Sequence, residues 1–560
     1  MNHIRLSRNL FTLLIQCLFF NVFLNAQTFK DVAVSVGINS GFGFGPQSGG
    51  ISLSDFNQDG WDDLTYATER GRKIEFYVNN KGTFELIEPL VDDTSHVRSV
   101  LWVDLDNDGD KELFITSFTG QNKLYENLGP LNLIDITDDS GISIVNDPSY
   151  GASFGDYDLD GLLDLYSCNY YENTFTNHFY RNDGGLRFSD VTQSSGLFAG
   201  PNFSFQGSFI DYNNDLKPDL YVAVDKAFNN LLFENNGDGT FNNVSLSSGA
   251  GIIIDAMNSG GGDYDNDGDL DLYVTNTPSG NVFLKNNGDG TFSDVTTETN
   301  TGFFRVGWAA NFFDQDNDGD LDLYVSTNDP AEPNALYINN GDGTFSEPLL
   351  ETGGLDGNDV YYSFCNTQGD YNHDGQIDIV LSNGMGDPFV LWENRNASVG
   401  NWLKVKLEGT ESNRDGIGTW FSAFCGDELF TRYSFAGDGF LGQRSDYLHV
   451  GIGDNLIIDS IVIEWPSGIL DKYYDVIPKQ AFEVIEGTSV SNPQPCPLVL
   501  AIDNSTSGDQ NFAQLLIESV ADNIDESGII YSSGGVINLK TGFSVSNGTE
   551  FSALIEGCEN

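Results

Sequence analysis

One nine-residue pattern, Asp-x-Asp/Asn-x-Asp-Gly-x-x-Asp/Glu followed by an apolar strand, occurs seven times in the 560 residues. The copies begin at Asp55, Asp104, Asp156, Asp211, Asp263, Asp314 and Asp370, at intervals of 49, 52, 55, 52, 51 and 56 residues. A period of that length suits one four-stranded sheet per repeat, stacked radially as in a β-propeller. A second motif follows the first by roughly 20 to 30 residues. Leu336 to Phe345 reads as an apolar alternation, then Asn-Gly-Asp-Gly, then another strand, with relatives at Leu232 to Phe241 and Phe283 to Phe292. The glycines allow the positive φ angles of a tight turn, so each copy is a hairpin. The strand leaving it reads Phe-x-Asp-Val-Thr, as at Phe188 to Thr192 and Phe292 to Thr296.

The seventh unit runs to Phe389-Val390-Leu391-Trp392-Glu393-Asn394 and lacks that returning strand, while Phe29-Lys30-Asp31-Val32 supplies its sequence at the other end of the chain. Ring closure by strand exchange is therefore expected, residues 28 to 33 completing the sheet whose other strands lie near 360 to 394, because an unclosed array would leave two open edges. The competing reading is an open β-solenoid, whose rungs are usually shorter.

The repeated aspartates have the spacing of a calcium loop. Calcium takes six to eight hard oxygen ligands in a flexible cage. Carboxylates at loop positions 1, 3 and 5 converge when a Gly at position 6 allows a sharp turn; a backbone carbonyl at position 7 and a carboxylate at 9 close the shell. The candidate ligands are, loop by loop, Asp55, Asn57, Asp59, Trp61 and Asp63; Asp104, Asp106, Asp108, Asp110 and Glu112; Asp156, Asp158, Asp160, Leu162 and Asp164; Asp211, Asn213, Asp215, Lys217 and Asp219. The last three loops supply Asp263, Asp265, Asp267, Asp269 and Asp271; Asp314, Asp316, Asp318, Asp320 and Asp322; and Asp370, Asn372, Asp374, Gln376 and Asp378. Of the 28 side-chain positions, 25 are acids and three are Asn, a register that a merely solvated acidic surface would not keep. An EF-hand would need flanking helices and a Glu at position 12, where this chain has strand residues such as Tyr66, Val274 and Val325. The fourth loop has Leu216 in place of Gly, and a branched side chain resists the turn, so it is expected to be the weakest of up to seven Ca²⁺ sites.

The 83 acidic against 25 basic residues give a formal charge of -58, which disfavours nucleic acid and anionic membranes as partners. A hydrophobic content of 39% still provides packed cores, so acidic disorder is not implied. Residues 1–26 read as an export signal: Arg5 and Arg8 precede an apolar run from Leu10 to Leu24, and Ala26 is a small residue before the cut, with Gln27 starting the mature chain. The run is short and broken by Gln16 and Asn21, so it does not read as a transmembrane segment. Of the cysteines left after export, Cys496 and Cys558 bracket the last module and are expected to pair, whereas Cys168, Cys365 and Cys425 lie in apolar strands and are expected as buried thiols.

These loops resemble the FG-GAP and VCBS repeats of integrin-type propellers, over about residues 29 to 395. Residues 401 to 487 resemble the ASPIC/UnbV module through Asn401-Trp402-Leu403-Lys404-Val405, Glu411-Ser412-Asn413-Arg414-Asp415-Gly416-Ile417-Gly418, His449-Val450-Gly451-Ile452-Gly453 and Trp465-Pro466-Ser467-Gly468. That module follows such propellers in proteins of the cartilage acidic protein type, so the resemblance implies an extracellular protein. Alternation in Leu403 to Leu407 and Ile461 to Trp465 independently predicts a small β-sandwich. Arg414, Asp415, Gln443 and His449 are its most distinctive polar residues, expected to serve turns and strand ends rather than a ligand. The expected organisation is a signal over 1–26, a seven-bladed propeller over 27–395, the ASPIC/UnbV-like β domain over 396–488, a linker over 489–495 and a stacked-β module over 496–560, the last resembling the three-coathanger modules of bacterial surface proteins.

Three functional classes fit this all-β chain. The first is a secreted or surface-displayed binding or adhesion protein whose rigid scaffold presents loops to an extracellular protein or glycan. The second is a carbohydrate-active enzyme, hydrolase or lyase, working through paired carboxylates of the propeller face. The scattered His96, His178, His373 and His449, with no nucleophile elbow and no zinc motif, offer that class no support. The third is a structural surface component, and attachment through the last module is a further expectation.

Overall fold

The computed structural model describes residues 29–489, apart from 46, 130, 143–147, 171–175, 199–202, 227, 349–353 and 397–398. It adds five later strands, Leu498–Asp503, Ala513–Ile517, Ile529–Tyr531, Ile537–Leu539 and Ser552–Glu556. The export signal and both Cys496 and Cys558 lie outside the described residues.

Every repeat folds as one antiparallel four-stranded sheet, and seven such sheets stand among the described residues. The sixth is representative: Gly307–Phe313 is the innermost strand, then come Asp322–Thr327, Ala335–Asn339 and the short Phe345–Ser346. The first two strands are buried along their whole length, because they face the ring's centre and the neighbouring sheets at once. Each innermost strand lies against the next and the last lies against the first, so the sheets form a closed, propeller-like ring. The apolar faces meet in seven clusters, one between each pair of neighbouring sheets. At the seam Leu53, Leu64 and Tyr66 of the first sheet pack on Val380, Phe389 and Leu391 of the seventh, with Tyr66 stacked on Phe389 at 3.7 Å.

Closure occurs by strand exchange. Phe29–Asp31 pairs antiparallel with Val390–Asn394, Phe29 opposite Asn394 and Asp31 opposite Trp392. Phe29 is buried among Phe313, Tyr324 and Ile379. A repeated asparagine at the end of each third strand fastens sheet to sheet. Asn339 donates through Nδ2 to the carbonyls of Tyr264 in the preceding sheet (2.8 Å) and Leu321 (3.2 Å) in its own, and Asn286, Asn235, Asn182 and Asn79 repeat this. The side-chain amide thus satisfies carbonyls that the sheets cannot pair.

Residues 402–485 form two further sheets packed face to face. Tyr447–Gly451, Trp402–Glu408 and Gln480–Ile485 make one, while Glu428–Tyr433, Trp420–Cys425, Ile458–Glu464 and Leu470–Val476 make the other. Leu403, Val405, Phe421, Ile461, Ile463 and Trp465 fill the space between them. The buried carboxylate of Glu486 accepts the amides of Thr410, Glu411 and Ser412 at 2.7 to 2.8 Å, plus the hydroxyls of Ser412 and Ser467. Burial alone would raise its pKa, but these hydrogen bonds together hold it below the usual carboxylate value.

The loop from Ser434 to Asp446 leaves this unit and enters the centre of the ring. Ala436 bridges to Phe154, the Gly437 carbonyl accepts from Gln206, the Asp438 carbonyl from Asn258, and Gln443 hydrogen-bonds the backbone of Ile51 and Trp102. Phe440 and Leu441 are buried among Tyr150, Phe205, Met257, Trp308 and Phe364, aromatic and apolar residues drawn from four or more sheets. The channel is therefore a packed core. Cys168, Cys365 and Cys425 are buried free thiols, in line with their apolar strands.

Phe440→Ala should lower unfolding free energy by about 3 to 5 kcal/mol, the usual cost of emptying a buried aromatic site. Chemical denaturation should also show one transition for ring and second unit together, since the plug belongs to both; two separated transitions would show that they fold independently.

Candidate metal loops and the unit that covers them

All seven Asp-rich loops join an innermost strand to its neighbour, so they crowd one face of the ring. Their backbone geometry is the same. The position-1 carboxylate accepts the amide of position 6 on Oδ2 at 2.8 to 3.1 Å in every loop. The position-5 carboxylate accepts the amide of position 7, that of Trp61, Asp110, Leu162, Lys217, Asp269, Asp320 or Gln376, at 2.8 to 3.1 Å. The position-9 acid is clamped by the amide of the repeated Asn at 2.7 to 3.4 Å. Local hydrogen bonds thus aim the remaining oxygens before any cation arrives.

Five loops bring three carboxylates close, with one oxygen from each within 4.8 Å of the others: Asp104, Asp106 and Asp108; Asp156, Asp158 and Asp164; Asp211, Asp215 and Asp219; Asp263, Asp265 and Asp271; Asp314, Asp316 and Asp322. The first and seventh loops, which carry Asn57 and Asn372 at position 3, form no such three-acid group among the described residues. Asp63 Oδ2, Asp104 Oδ1, Asp106 Oδ1, Asp158 Oδ1, Asp265 Oδ1 and Asp314 Oδ1 are buried without a hydrogen-bond partner. A buried oxygen left bare is costly, and a divalent cation with a hard-oxygen preference supplies what these oxygens lack. In the fifth loop the Lys285 ammonium reaches both Asp265 and Asp267, so a positive charge already finds that place. The residues present therefore fit calcium.

Electrostatics agree. Burial pushes Asp104, Asp156, Asp263 and Asp314 up to about 7, Asp63 to about 8 and Glu112 to about 9, with neighbouring loop carboxylates adding to the rise.

The fourth loop does not open at Leu216. That residue adopts the left-handed conformation (φ +62°) and keeps its amide on Asp211 at 3.0 Å, at a cost of about 1 to 2 kcal/mol. Lys217 pairs with Asp215, which places a cation beside that loop. Position 4 carries a role the sequence reading missed. It is left-handed in all seven loops (φ +56° to +60°). Gln58, Asn107, Asn214 and Asn317 donate to the position-6 carbonyl of the following loop, Asn266 donates to Asp320, and His373 stacks on Trp61 at 3.8 Å. The recurrence of Asn or Gln there was the available signal; Leu159 interrupts it just before the fourth loop.

The second β unit covers this face. Lys404 Nζ lies 3.2 Å from Asp370 Oδ2, Trp420 Nε1 2.8 Å from Asp211 Oδ2, and Arg432 and Arg414 3.8 Å from the Oδ2 of Asp314 and Asp104. All four contacts fall on Oδ2, the oxygen that the position-6 amide already holds, so Oδ1 stays turned to the loop. Arg414, Asp415, Gln443 and His449, expected to serve turns and strand ends rather than a ligand, also hydrogen-bond the ring. The Asp415 carboxylate accepts the amide of Asp104 (2.9 Å) and pairs with Lys111, His449 Nε2 meets Asn317 Oδ1 at 2.7 Å, and Gln443 lies in the plug. Sequence separations of 132 to 341 residues hide such contacts from any local pattern.

A ring of repeated acidic loops, closed by its own first strand and capped by a β-sandwich, defines a class of propeller proteins. The FG-GAP-like repeat model matches six overlapping segments from 55 to 381, and the ASPIC and UnbV model matches 409–491, so the chain belongs to the FG-GAP-repeat family and carries an ASPIC and UnbV domain. Among curated proteins it is similar to cartilage acidic protein 1 of Xenopus tropicalis, Mus musculus and Homo sapiens, 26% identical over 309 residues in each case. That match spans 50% of this chain but only 42 to 43% of those relatives. Similar solved structures include an Agrocybe aegerita lectin recognising non-reducing terminal N-acetylglucosamine (18% identical, TM-score 0.39, 61% of this chain and 91% of that one). YCF48 bound to D1 peptide is another (9%, TM-score 0.43, 67% and 98%). No helix of the described residues is long and apolar enough to cross a membrane.

The raised carboxylates bind protons more tightly folded than unfolded, where their pKa is about 4. That contribution is present at low pH and is lost as pH rises through 7 to 9. Chelator-treated protein should therefore show a melting temperature that falls between about pH 5 and pH 8, whereas calcium in excess should flatten the profile. A falling profile that calcium leaves unchanged would rule out metal in the loops.

Proposed function

We propose that this protein is an exported, calcium-loaded propeller scaffold that binds a protein or glycan ligand outside the cell, with calcium rigidifying the loops rather than performing chemistry. The observation that carries this reading is the hydrogen-bonded turn shared by all seven loops, with three converging carboxylates in five of them and bare buried carboxylate oxygens in five. Asp55, Asn57, Asp59, Asp63 and their counterparts would hold the ions, and each ion would supply the positive charge that the buried carboxylates lack. Removing several carboxylates per loop from mutual repulsion stiffens the face on which the second unit sits. Seven ions bring only about +14, leaving roughly -44, so the filled surface stays strongly acidic and suits basic or neutral partners better than anionic ones.

The filled channel and the covered loop face favour binding over catalysis. Residues 436 to 443 occupy the central cavity in which a propeller enzyme would hold substrate, and the loop acids are engaged by Lys404, Arg414, Trp420 and Arg432. Recognition would fall to the outer hairpins and the opposite face.

Native mass spectrometry of the mature chain should find up to seven calcium ions, lost on chelation, with the strained fourth loop filling last in a titration. Protein and glycan arrays probed with and without calcium should give calcium-dependent hits. Metal-free masses in calcium buffer would sink the scaffold reading, silent arrays would leave a structural component, and depolymerised polysaccharide would point to the enzyme.

A further inference from the structure

The fifth and sixth loops carry the same acids. Asp263-Tyr264-Asp265-Asn266-Asp267-Gly268-Asp269-Leu270-Asp271 and Asp314-Gln315-Asp316-Asn317-Asp318-Gly319-Asp320-Leu321-Asp322 differ at position 2 alone. In both, the carboxylates of positions 1, 3 and 9 converge. What separates them is the third strand of each sheet. The residue before its repeated asparagine is Lys285 in the fifth sheet and Ile338 in the sixth, each in register with a serine, Ser293 and Ser346.

The Lys285 side chain is 27% exposed and bends onto its own loop. Its ammonium hydrogen-bonds Asp265, donates to Asp267 Oδ2 at 3.0 Å and lies 5.7 Å from the centre of the Tyr264 ring. Asp267 Oδ1 already accepts the amide of Asp269, so Oδ2 is the oxygen it has left for an ion. In the sixth loop Asp318 commits Oδ1 to Asp320 in the same way, and Ile338 has no charge to set against its Oδ2. At the same strand position the other sheets carry Val78, Glu126, Glu234 and Glu393, and Arg181 turns to Asp183 at 2.8 Å.

We propose that Lys285 is a tethered counter-cation of the fifth loop, which calcium must displace from Asp265 and Asp267, so that this loop fills at higher free calcium than the sixth. The inference rests on the calcium reading above. An ammonium brings one charge and at most three hydrogen bonds, whereas calcium brings two charges and takes six to eight oxygens. Lysine therefore holds the loop acids together where calcium is scarce and yields where it is plentiful. Arg432 works in the opposite sense, at 3.8 Å from Asp314 of the sixth loop, but it approaches the Oδ2 that the Gly319 amide already holds. Lys285 touches two ligand carboxylates directly, so its effect is the larger.

Crystals of the protein equilibrated at graded free calcium test this, because anomalous occupancies report each loop separately. The fifth loop should reach half occupancy at about five- to tenfold higher calcium than the sixth, the scale of a partly exposed ion pair made twice. Lys285→Met, which keeps the length and removes the charge, should close the gap, and Ile338→Lys should open a like lag in the sixth loop. In solution, Lys285→Met should melt below the unaltered protein in chelator and gain more from added calcium. Equal half-filling in the unaltered protein, a gap that survives Lys285→Met, or a melting deficit that calcium leaves unchanged overturns the proposal. Calcium in the sixth loop with no lag in the fifth sinks the lysine role alone, whereas no calcium in any loop at saturation sinks both it and the scaffold reading.

Discussion

The buried position-1 carboxylate is the constraint on which the rest depends. Folding takes it almost wholly out of water, and it must then be satisfied from several sides at once. The turn amide takes Oδ2, the loop's own acids surround Oδ1, and in four of the loops a donor from the second unit reaches the same Oδ2. A loop built this way has a fixed direction and one unfilled requirement, positive charge. That requirement explains why local hydrogen bonding, domain docking and metal affinity cannot be treated separately here.

The second unit is consequently part of the ring's interior rather than an appendage. Its 434–446 loop supplies Phe440 and Leu441 to the channel, and Gln443 bridges Ser52 and Trp102 across two innermost strands. A propeller channel is often an open cleft, but here apolar packing has filled it. Among the described residues, the loop face and the channel are thus both occupied from within the chain.

Much of the ring was legible because its signals are local and repeated. Seven loops in one register, Asn-Gly-Asp-Gly hairpins and the displaced Phe-Lys-Asp-Val strand each encode a turn or a strand within a few residues. The fourth loop shows where local reading stops. Leu216 argues against the turn by its own preference, yet the sheet on either side and the Trp420 contact hold the backbone in the left-handed region. The asparagines of position 4 went unread because their partners sit one loop further round the ring, and the links appear only when adjacent sheets stand side by side. Arg414, Asp415 and His449 were noticed as unusual, but their partners lie more than a hundred residues away.

Taken alone, the sequence determined the repeat, the sheet of each repeat, the strand exchange and the oxygen-rich turns, since these rest on backbone preference and side-chain chemistry over short spans. Tertiary structure decided that the sandwich caps the loop face, that its long loop fills the channel, and that cations from one unit meet buried acids of the other. Those outcomes depend on which surfaces are complementary once both units are folded, and complementarity in three dimensions leaves no periodic trace in one.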